Sequence, residues 1–263
     1  MTGDRGEVPN ARSGNGDTME KKRKCTMILL AAGSGSRMKS KVAKQYMLLG
    51  ERPVIWYSLE AAERSQVIDR CILVVGAEDL AYAKEEMVDR YGFTKVEQIV
   101  AGGAQRYDSV CNALQALGEE TDGELIYIHD GARPFLTEEM IRRAYEDAAR
   151  YGACVVGMPV KDTIKIADQD GFAKTTPDRK LVWQIQTPQV FARTLITEAY
   201  TKMNQSRDRI REQGIQITDD AMVVETFSEV PVKLTEGSYE NMKITTPEDI
   251  AVAEAILRRS ARS

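Results

Sequence analysis

Several segments of this chain set an acid, a cation or paired glycines at the end of an apolar run, and those are the places where the sequence could handle an anionic ligand. In Ile126-Tyr-Ile-His-Asp130-Gly-Ala-Arg133-Pro134 the apolar run ends in a carboxylate. Ligands of open α/β sheets bind at the carboxyl edge, and a hard carboxylate there suits Mg²⁺, which takes one or two protein oxygens plus phosphate oxygens. Asp130 is therefore the metal candidate, although Asp-Gly is also turn chemistry and the acid could pair with Arg133. His129, the single histidine, invites a general-base role, but its place in an alternating strand points to a partly buried structural imidazole.

Leu29-Leu-Ala-Ala-Gly-Ser-Gly-Ser-Arg-Met38 also follows an apolar run, and Lys44 comes soon after in Ala43-Lys-Gln-Tyr46. Small residues let the backbone approach a ligand, and successive N–H groups of such a loop can line an anion site. The Gly-Lys-Ser/Thr of a P-loop is absent, and Met38 stands where a dinucleotide fingerprint needs a third small residue. A tight structural turn with solvated cations is the plainer alternative. Gly102-Gly103-Ala-Gln-Arg106-Tyr-Asp-Ser109-Val could free backbone groups to read a base or ribose, with the Ser109 hydroxyl adding to them, or be an ordinary turn with Ser109 as a cap. Smaller polar clusters recur at Lys161-Asp-Thr163, Asp178-Arg179, Gln186-Thr-Pro-Gln189, Thr218-Asp-Asp220-Ala and Asn241-Met-Lys243. Taken singly, Arg179 and Lys243 could be surface charges and Thr163 the start of a strand.

The elements that would hold these groups read as a parallel sheet covered on both faces by helices, because short apolar runs alternate with amphipathic stretches. Strands are expected at 26–31, 70–76, 96–100, 124–129 and 153–158, and helices at 53–65, 78–91, 106–117 and 137–151. Pro53 suits a first-turn position and Thr137 a cap. After Pro159 the pattern becomes a hairpin around Asp168-Gln-Asp-Gly171, an arm over about 160–180 with little core of its own. Such an arm packs more plausibly on a second subunit or over a site than alone, which suggests a homodimer. The chain then returns to α/β character with a helix at 218–226, a strand at 230–235 and a last helix from Thr246.

With 263 residues, 43% hydrophobic and 29% charged, the chain suits one α/β domain over 25–263. Residues 1–24 form a polar extension, expected to be disordered up to about Glu20. The net charge of −4 argues against a general nucleic-acid binder, so an anionic ligand must be met by locally placed cations. No apolar run is long enough to span a bilayer. Lys21 to Lys24 ahead of an apolar run imitates a secretory signal, but the run is short and leads into the glycine loop; Asp4, Glu7 and Asp17 disfavour a transit peptide. The four cysteines are far apart and at least three sit in apolar runs, as buried thiols of a reducing, cytoplasmic compartment would.

Taken together and in order, these segments resemble the 2-C-methyl-D-erythritol 4-phosphate cytidylyltransferase family of the non-mevalonate isoprenoid pathway, over about Met27 to Ile256. The resemblance lies in Ala-Ala-Gly-x-Gly-x-Arg-Met, Lys-Gln-Tyr, Gly-Gly-x-x-Arg-x-x-Ser-Val, His-Asp-x-Ala-Arg-Pro, Val-Lys-Asp-Thr, Asp-Arg, Gln-Thr-Pro-Gln, Thr-Asp-Asp-Ala and Asn-x-Lys-Ile-Thr. Gly131 and Ala104 depart from the Ala and Asp of relatives, and neither position supplies catalytic charge. The resemblance implies a doubly wound, mostly parallel, Rossmann-like nucleotidyltransferase sheet with a protruding, dimerising β-arm. It implies that Ala31, Ala32, Gly33, Ser34 and Gly35 wrap CTP, that Gly103 and Ser109 contact its cytidine, and that Asp130 holds the Mg²⁺. Arg37 and Lys44 would stabilise the transition state, Arg179 and Lys243 would position the phosphate of the polyol, and Thr163 would help bind it.

The chemistry so implied needs no base. A phosphate monoester has a second pKa of about 6 and is largely dianionic at neutral pH. What it needs is neutralisation of two colliding phosphates, which cations and Mg²⁺ supply by preorganised electrostatics and in-line positioning. Direct attack at the α-phosphorus with pyrophosphate leaving is the expectation. Ribitol 5-phosphate cytidylyltransferases share Lys-Gln and Gln-Thr-Pro-Gln, but Asp178-Arg179 and Ala31-Ala32 favour the erythritol substrate. A non-catalytic nucleotide sensor would be expected to lose a cation or the acid, and Met38 speaks against a dinucleotide-dependent oxidoreductase.

Overall fold

The structure, a computed structural model, describes residues 22–33, 43–119 and 123–260. Eleven strands occur among them: β1 (Cys25–Leu30), β2 (Leu48–Leu49), β3 (Arg52–Pro53), β4 (Arg70–Val75), β5 (Val96–Ala101), β6 (Leu125–Asp130), β7 (Ala153–Pro159), β8 (Ile166–Ala167), β9 (Ala173–Thr175), β10 (Trp183–Ala192) and β11 (Lys233–Glu236). Seven form one sheet in the order β11-β7-β10-β6-β1-β4-β5. Every pairing in it is parallel except those of β10, which runs antiparallel to both β6 and β7.

The apolar runs are long because both faces of these strands are buried. Met27, Leu29, Leu73 and Tyr127 point to one face, where α1 (Val54–Arg64) packs, while Ile28, Ile72, Val74 and Ile128 point to the other. Each such side chain contributes about 1.5–3 kcal/mol on burial. The remaining α-helices are α2 (Leu80–Tyr82), α3 (Arg106–Gln115), α4 (Glu138–Tyr151), α5 (Arg193–Gln205), α6 (Arg207–Glu212), α7 (Asp220–Phe227) and α8 (Pro247–Ser260). α4 joins the first face, and α3, α5 and α7 cover the second. No helix among the described residues is long and apolar enough to cross a membrane.

From β1 the chain moves to β4 and β5 on one side, and β6 returns to the other side of β1. The strand order therefore reverses between β1 and β6, whose last residues, Leu30 and Asp130, are register partners. A crevice at such a reversal is where sheets of this kind bind ligands.

Five expected strands and the first and fourth helices agree with the structure to within a residue or so; other elements differ. Pro53 ends β3 and caps α1 rather than occupying its first turn. The stretch expected as one helix at 78–91 is a 3₁₀ turn (Ala77–Asp79), α2 and a π-helix (Ala83–Asp89). The strand expected at 230–235 begins only at Lys233, beyond Pro231, which has no N–H for a ladder. The helix expected from 218 begins at Asp220, with the Asp219 side chain accepting from the Met222 N–H. The hairpin is present but short: β8 pairs with β9, Asp168 Oδ1 accepts from the N–H groups of Asp170 and Phe172, and Gly171 has φ +87°. β2, β3, β10, α5 and α6 were not anticipated. All four cysteines are buried free thiols, and burial pushes those of Cys25, Cys71 and Cys154 up to about 12.

Opposite the ligand edge, the sheet is closed by a buried ion cluster. Glu124, whose side chain is fully buried, accepts from Thr26 Oγ1 at 2.5 Å, from Arg70 Nη2 at 3.0 Å and from Arg193 Nη1 at 2.7 Å. The two guanidiniums also donate to the carbonyls of Leu117, Gly118 and Glu119.

Candidate functional site

At the reversal between β1 and β6 lies a cavity of about 450 Å³. Ala31, Ala32 and Gly33 line it from the end of β1, Gly103 and Ser109 from the β5–α3 turn, and Asp130, Lys44 and Lys243 complete it. Eight residues expected in the site on sequence grounds are thus brought together. Ser34, Gly35 and Arg37 lie outside the described residues. Thr163 and Arg179 are exposed near the arm and do not line this cavity; the Arg179 guanidinium donates to the Lys161 carbonyl at 2.8 Å.

The glycine turn is shaped by contact. A Cβ on Gly102 would lie 2.2 Å from Ala32 Cβ, so the two loops meet closely only because that position is glycine, and one on Gly103 would lie 2.3 Å from Asp108 Cβ, so the turn folds back onto the start of α3 only without a side chain there. The Ser109 hydroxyl is buried and works within the turn, accepting from the Gly103 N–H at 3.1 Å and donating to the Gln105 carbonyl at 3.3 Å.

Asp130 is ringed by cations. Lys243 Nζ is 2.7 Å from its Oδ2, Arg106 Nε 3.4 Å from its Oδ1, and Arg133 Nε 3.9 Å from Oδ2. Burial alone would raise its pKa, but Arg106, Lys243 and Arg133 together hold it well below the usual carboxylate range. The pairing with Arg133 envisaged from the Asp-Gly turn exists, as the longest of three ion pairs. Among the described residues no group of three or more His, Cys, Asp and Glu side chains is disposed to hold a metal, so a cation at Asp130 would need oxygens from its ligand.

His129 is completely buried rather than partly so. Its Nε2 lies 3.3 Å from the Arg133 carbonyl, which makes that nitrogen the donor, and Nδ1 accepts from Thr187 Oγ1 at 2.9 Å. The Thr187 oxygen in turn accepts from the Asp130 N–H at 3.0 Å. Burial pushes the imidazole pKa down to about 4. A neutral ring with both nitrogens engaged orients the backbone of Asp130 and leaves no lone pair for a substrate.

A second cavity, of about 330 Å³, adjoins the first and is lined by Arg133, Thr187, Gln189 and Thr218. Asp130, Arg106 and Lys243 line both, so they form the wall between them. Gln189 fixes the start of α7, its Oε1 accepting from the N–H groups of Asp220 and Ala221 and its Nε2 donating to Asp219. Asn241 Nδ2 donates to Gln186 Oε1 and to the Thr187 carbonyl, next to the cis Thr187–Pro188 bond.

Arg106 and Asp220 were not singled out from the sequence as members of the site. A cation at the first position of a helix opposes the helix dipole, and that misfit was the available signal for Arg106. For Asp220 the signal was an acid in excess of what capping needs, since Asp219 alone caps α7.

The family profile described as IspD, 2-C-methyl-D-erythritol 4-phosphate cytidylyltransferase, matches residues 25–259. A protein of that name from Lachnoclostridium phytofermentans is 48% identical over 89% of this chain and 97% of its own length. Another, from Lachnospira eligens, is 46% identical over 89% of this chain and 99% of its own. The crystal structure of 4-diphosphocytidyl-2C-methyl-D-erythritol synthase from Anaerococcus prevotii superposes with a TM-score of 0.78 at 34% identity, covering 92% of this chain and all of that one.

Proposed function

Since the chain belongs to the 2-C-methyl-D-erythritol 4-phosphate cytidylyltransferase family, we propose that it joins CTP to 2-C-methyl-D-erythritol 4-phosphate, releasing pyrophosphate by direct in-line attack at the α-phosphorus. The observation that carries this reading is the ionised Asp130 at the strand-order reversal, set among cations in a cavity shared with the Ala31–Gly33 and Gly103 turns.

Each group has a task that its chemistry fits. Ala31, Ala32 and Gly33, with Ser34 and Gly35, wrap the triphosphate, and Gly103 presents its backbone to the cytidine while Ser109 holds that turn in shape. Lys44 and Arg37 meet the charge that gathers on the α-phosphate and the leaving pyrophosphate, and Lys243 neutralises the attacking phosphate. Asp130 fits a magnesium ion, since it is ionised, lines the cavity and has an oxygen only lightly held at 3.4 Å. Held by Asp130, a magnesium ion would supply positive charge that lowers the repulsion between the two phosphates. The nucleophile arrives already ionised, so the engagement of His129 elsewhere costs the reaction nothing.

Thr163 and Arg179 enter this scheme through a homodimer. Ile166 is 49% exposed, Phe172 72% and Leu181 81%, and three large apolar side chains along one arm support its packing on a second copy. Arg179 and Thr163 would then serve the partner's polyol phosphate.

The experiment supplies purified protein with CTP and Mg²⁺ and offers 2-C-methyl-D-erythritol 4-phosphate or ribitol 5-phosphate, measuring pyrophosphate release. Release with the erythritol compound is the expected result. Equal release with ribitol 5-phosphate, or none with either, overturns the reading.

A further inference from the structure

Arg106 reaches the site from the first residue of α3, but its position is fixed from behind. Its Nη2 donates to Asp220 Oδ2 at 2.7 Å, a full charge-assisted bond, whereas its Nε is 3.4 Å from Asp130 Oδ1. Asp220 is itself immobilised, being fully buried, with Oδ1 accepting from the Tyr200 hydroxyl at 2.5 Å and its N–H donating to Gln189 Oε1 at 3.0 Å. The two oxygens of Asp130 are therefore treated unequally. Among the described residues, Oδ2 takes Lys243 at 2.7 Å, while Oδ1 keeps only the long contact to Arg106.

We propose that Asp220 is a positioning residue that restrains Arg106 and keeps Oδ1 of Asp130 open to a divalent cation arriving with the nucleoside triphosphate. This rests on the reading of Asp130 as the carboxylate for that cation. A guanidinium no longer held by Asp220 has well under an ångström to travel before it closes a tight ion pair with Asp130. Such a pair would occupy Oδ1 and set a fixed positive charge where the divalent cation must sit. Tyr200 acts one step further back, keeping Asp220 in place to hold the guanidinium.

The test uses Mn²⁺ as the probe and counts bound ions by the loss of the free-ion electron paramagnetic resonance signal, with CTP present and no polyol phosphate. Asp220→Asn keeps the shape and removes the charge; Mn²⁺ binding should weaken tenfold or more, and turnover lost at low Mg²⁺ should return at high Mg²⁺. Adding Arg106→Gln to Asp220→Asn should restore Mn²⁺ binding, because the competing charge is gone. A merely structural role for Asp220 would not be rescued by a second substitution. Arg106→Gln alone should bind Mn²⁺ at least as tightly as the parent, and this arm stands even if Asp220→Asn does not fold, which thermal unfolding reveals. Unchanged Mn²⁺ binding in folded Asp220→Asn, or weaker binding in Arg106→Gln, overturns the proposal. If the parent protein binds no Mn²⁺ beyond that held by free CTP, the cation reading of Asp130 falls, and this inference with it.

Discussion

Lys44 and Lys243 line one cavity although nearly two hundred positions separate them, and they are expected to act at different stages. Lys243 already has a partner, Asp130, and can be drawn from it by an incoming phosphate. Lys44 is assigned the charge that develops as pyrophosphate departs, and an interaction made chiefly in the transition state is lost from kcat more than from binding. Lys44→Ala should therefore lower kcat by about 10²-fold or more while the calorimetric Kd for CTP moves by less than about tenfold. Equal losses in the two would assign Lys44 to ground-state binding. Asp130 was legible in the sequence because an acid at the end of an apolar run has few other reasons to be there. Thr187, Gln189 and Asp220 stood out only as members of polar clusters, and their roles were not legible, since those exist only where β10 and α7 meet β6.

Strands buried on both faces declare themselves as unbroken apolar runs, and β1, β4, β6 and β7 were readable for that reason. β10 was not, because Gln184, Gln186, Thr187, Pro188 and Gln189 interrupt it, and its register shifts between Ile185 and Gln189 where the site draws on those polar groups. α5 escaped notice in part because its first residue, Arg193, is a buried cation serving Glu124 rather than a solvated one. That ion cluster ties β1, β4, β6 and α5 at the edge away from the ligand. Removing one charge from a buried set leaves the others uncompensated, so Glu124→Gln should cost about 3–5 kcal/mol in urea unfolding at neutral pH. Burial would raise the Glu124 pKa, but bonds from Thr26, Arg193 and Arg70 bring it below the ordinary value. Its contribution is thus complete above the ordinary glutamate range and is lost as pH falls through the lower, folded value. The stability gap between parent and Glu124→Gln should be flat above about pH 5 and narrow on acidification below it; a gap that widened toward acid would contradict this account.

For the molecule as a whole, one chain holds Asp130, Lys44 and Lys243 in a single cavity and Arg179 away from it. If Arg179 serves the partner's site, two inactive variants should repair one another. Arg179→Ala and Lys243→Ala, mixed after unfolding and refolded together, should regain about a quarter of parental turnover, because about half the dimers are mixed and each of those has one intact site. No recovery in mixtures shown by native mass spectrometry to contain the mixed dimer would place Arg179 outside the reaction. The arm was legible as an excursion because Asp168 to Gly171 is strong turn chemistry flanked by short runs; its exposed apolar side chains find no cover among the described residues.

The reversed direction of β10 carries one more implication. β7 ends at Pro159 on the ligand edge, and β10, running the opposite way beside it, begins at Trp183 on that same edge. The polypeptide thus departs and re-enters at neighbouring points, without crossing the protein in between. Residues added to or trimmed from the excursion alter how far it extends but leave every rung of the seven-stranded sheet intact, so its reach toward a second copy is set separately from the interior.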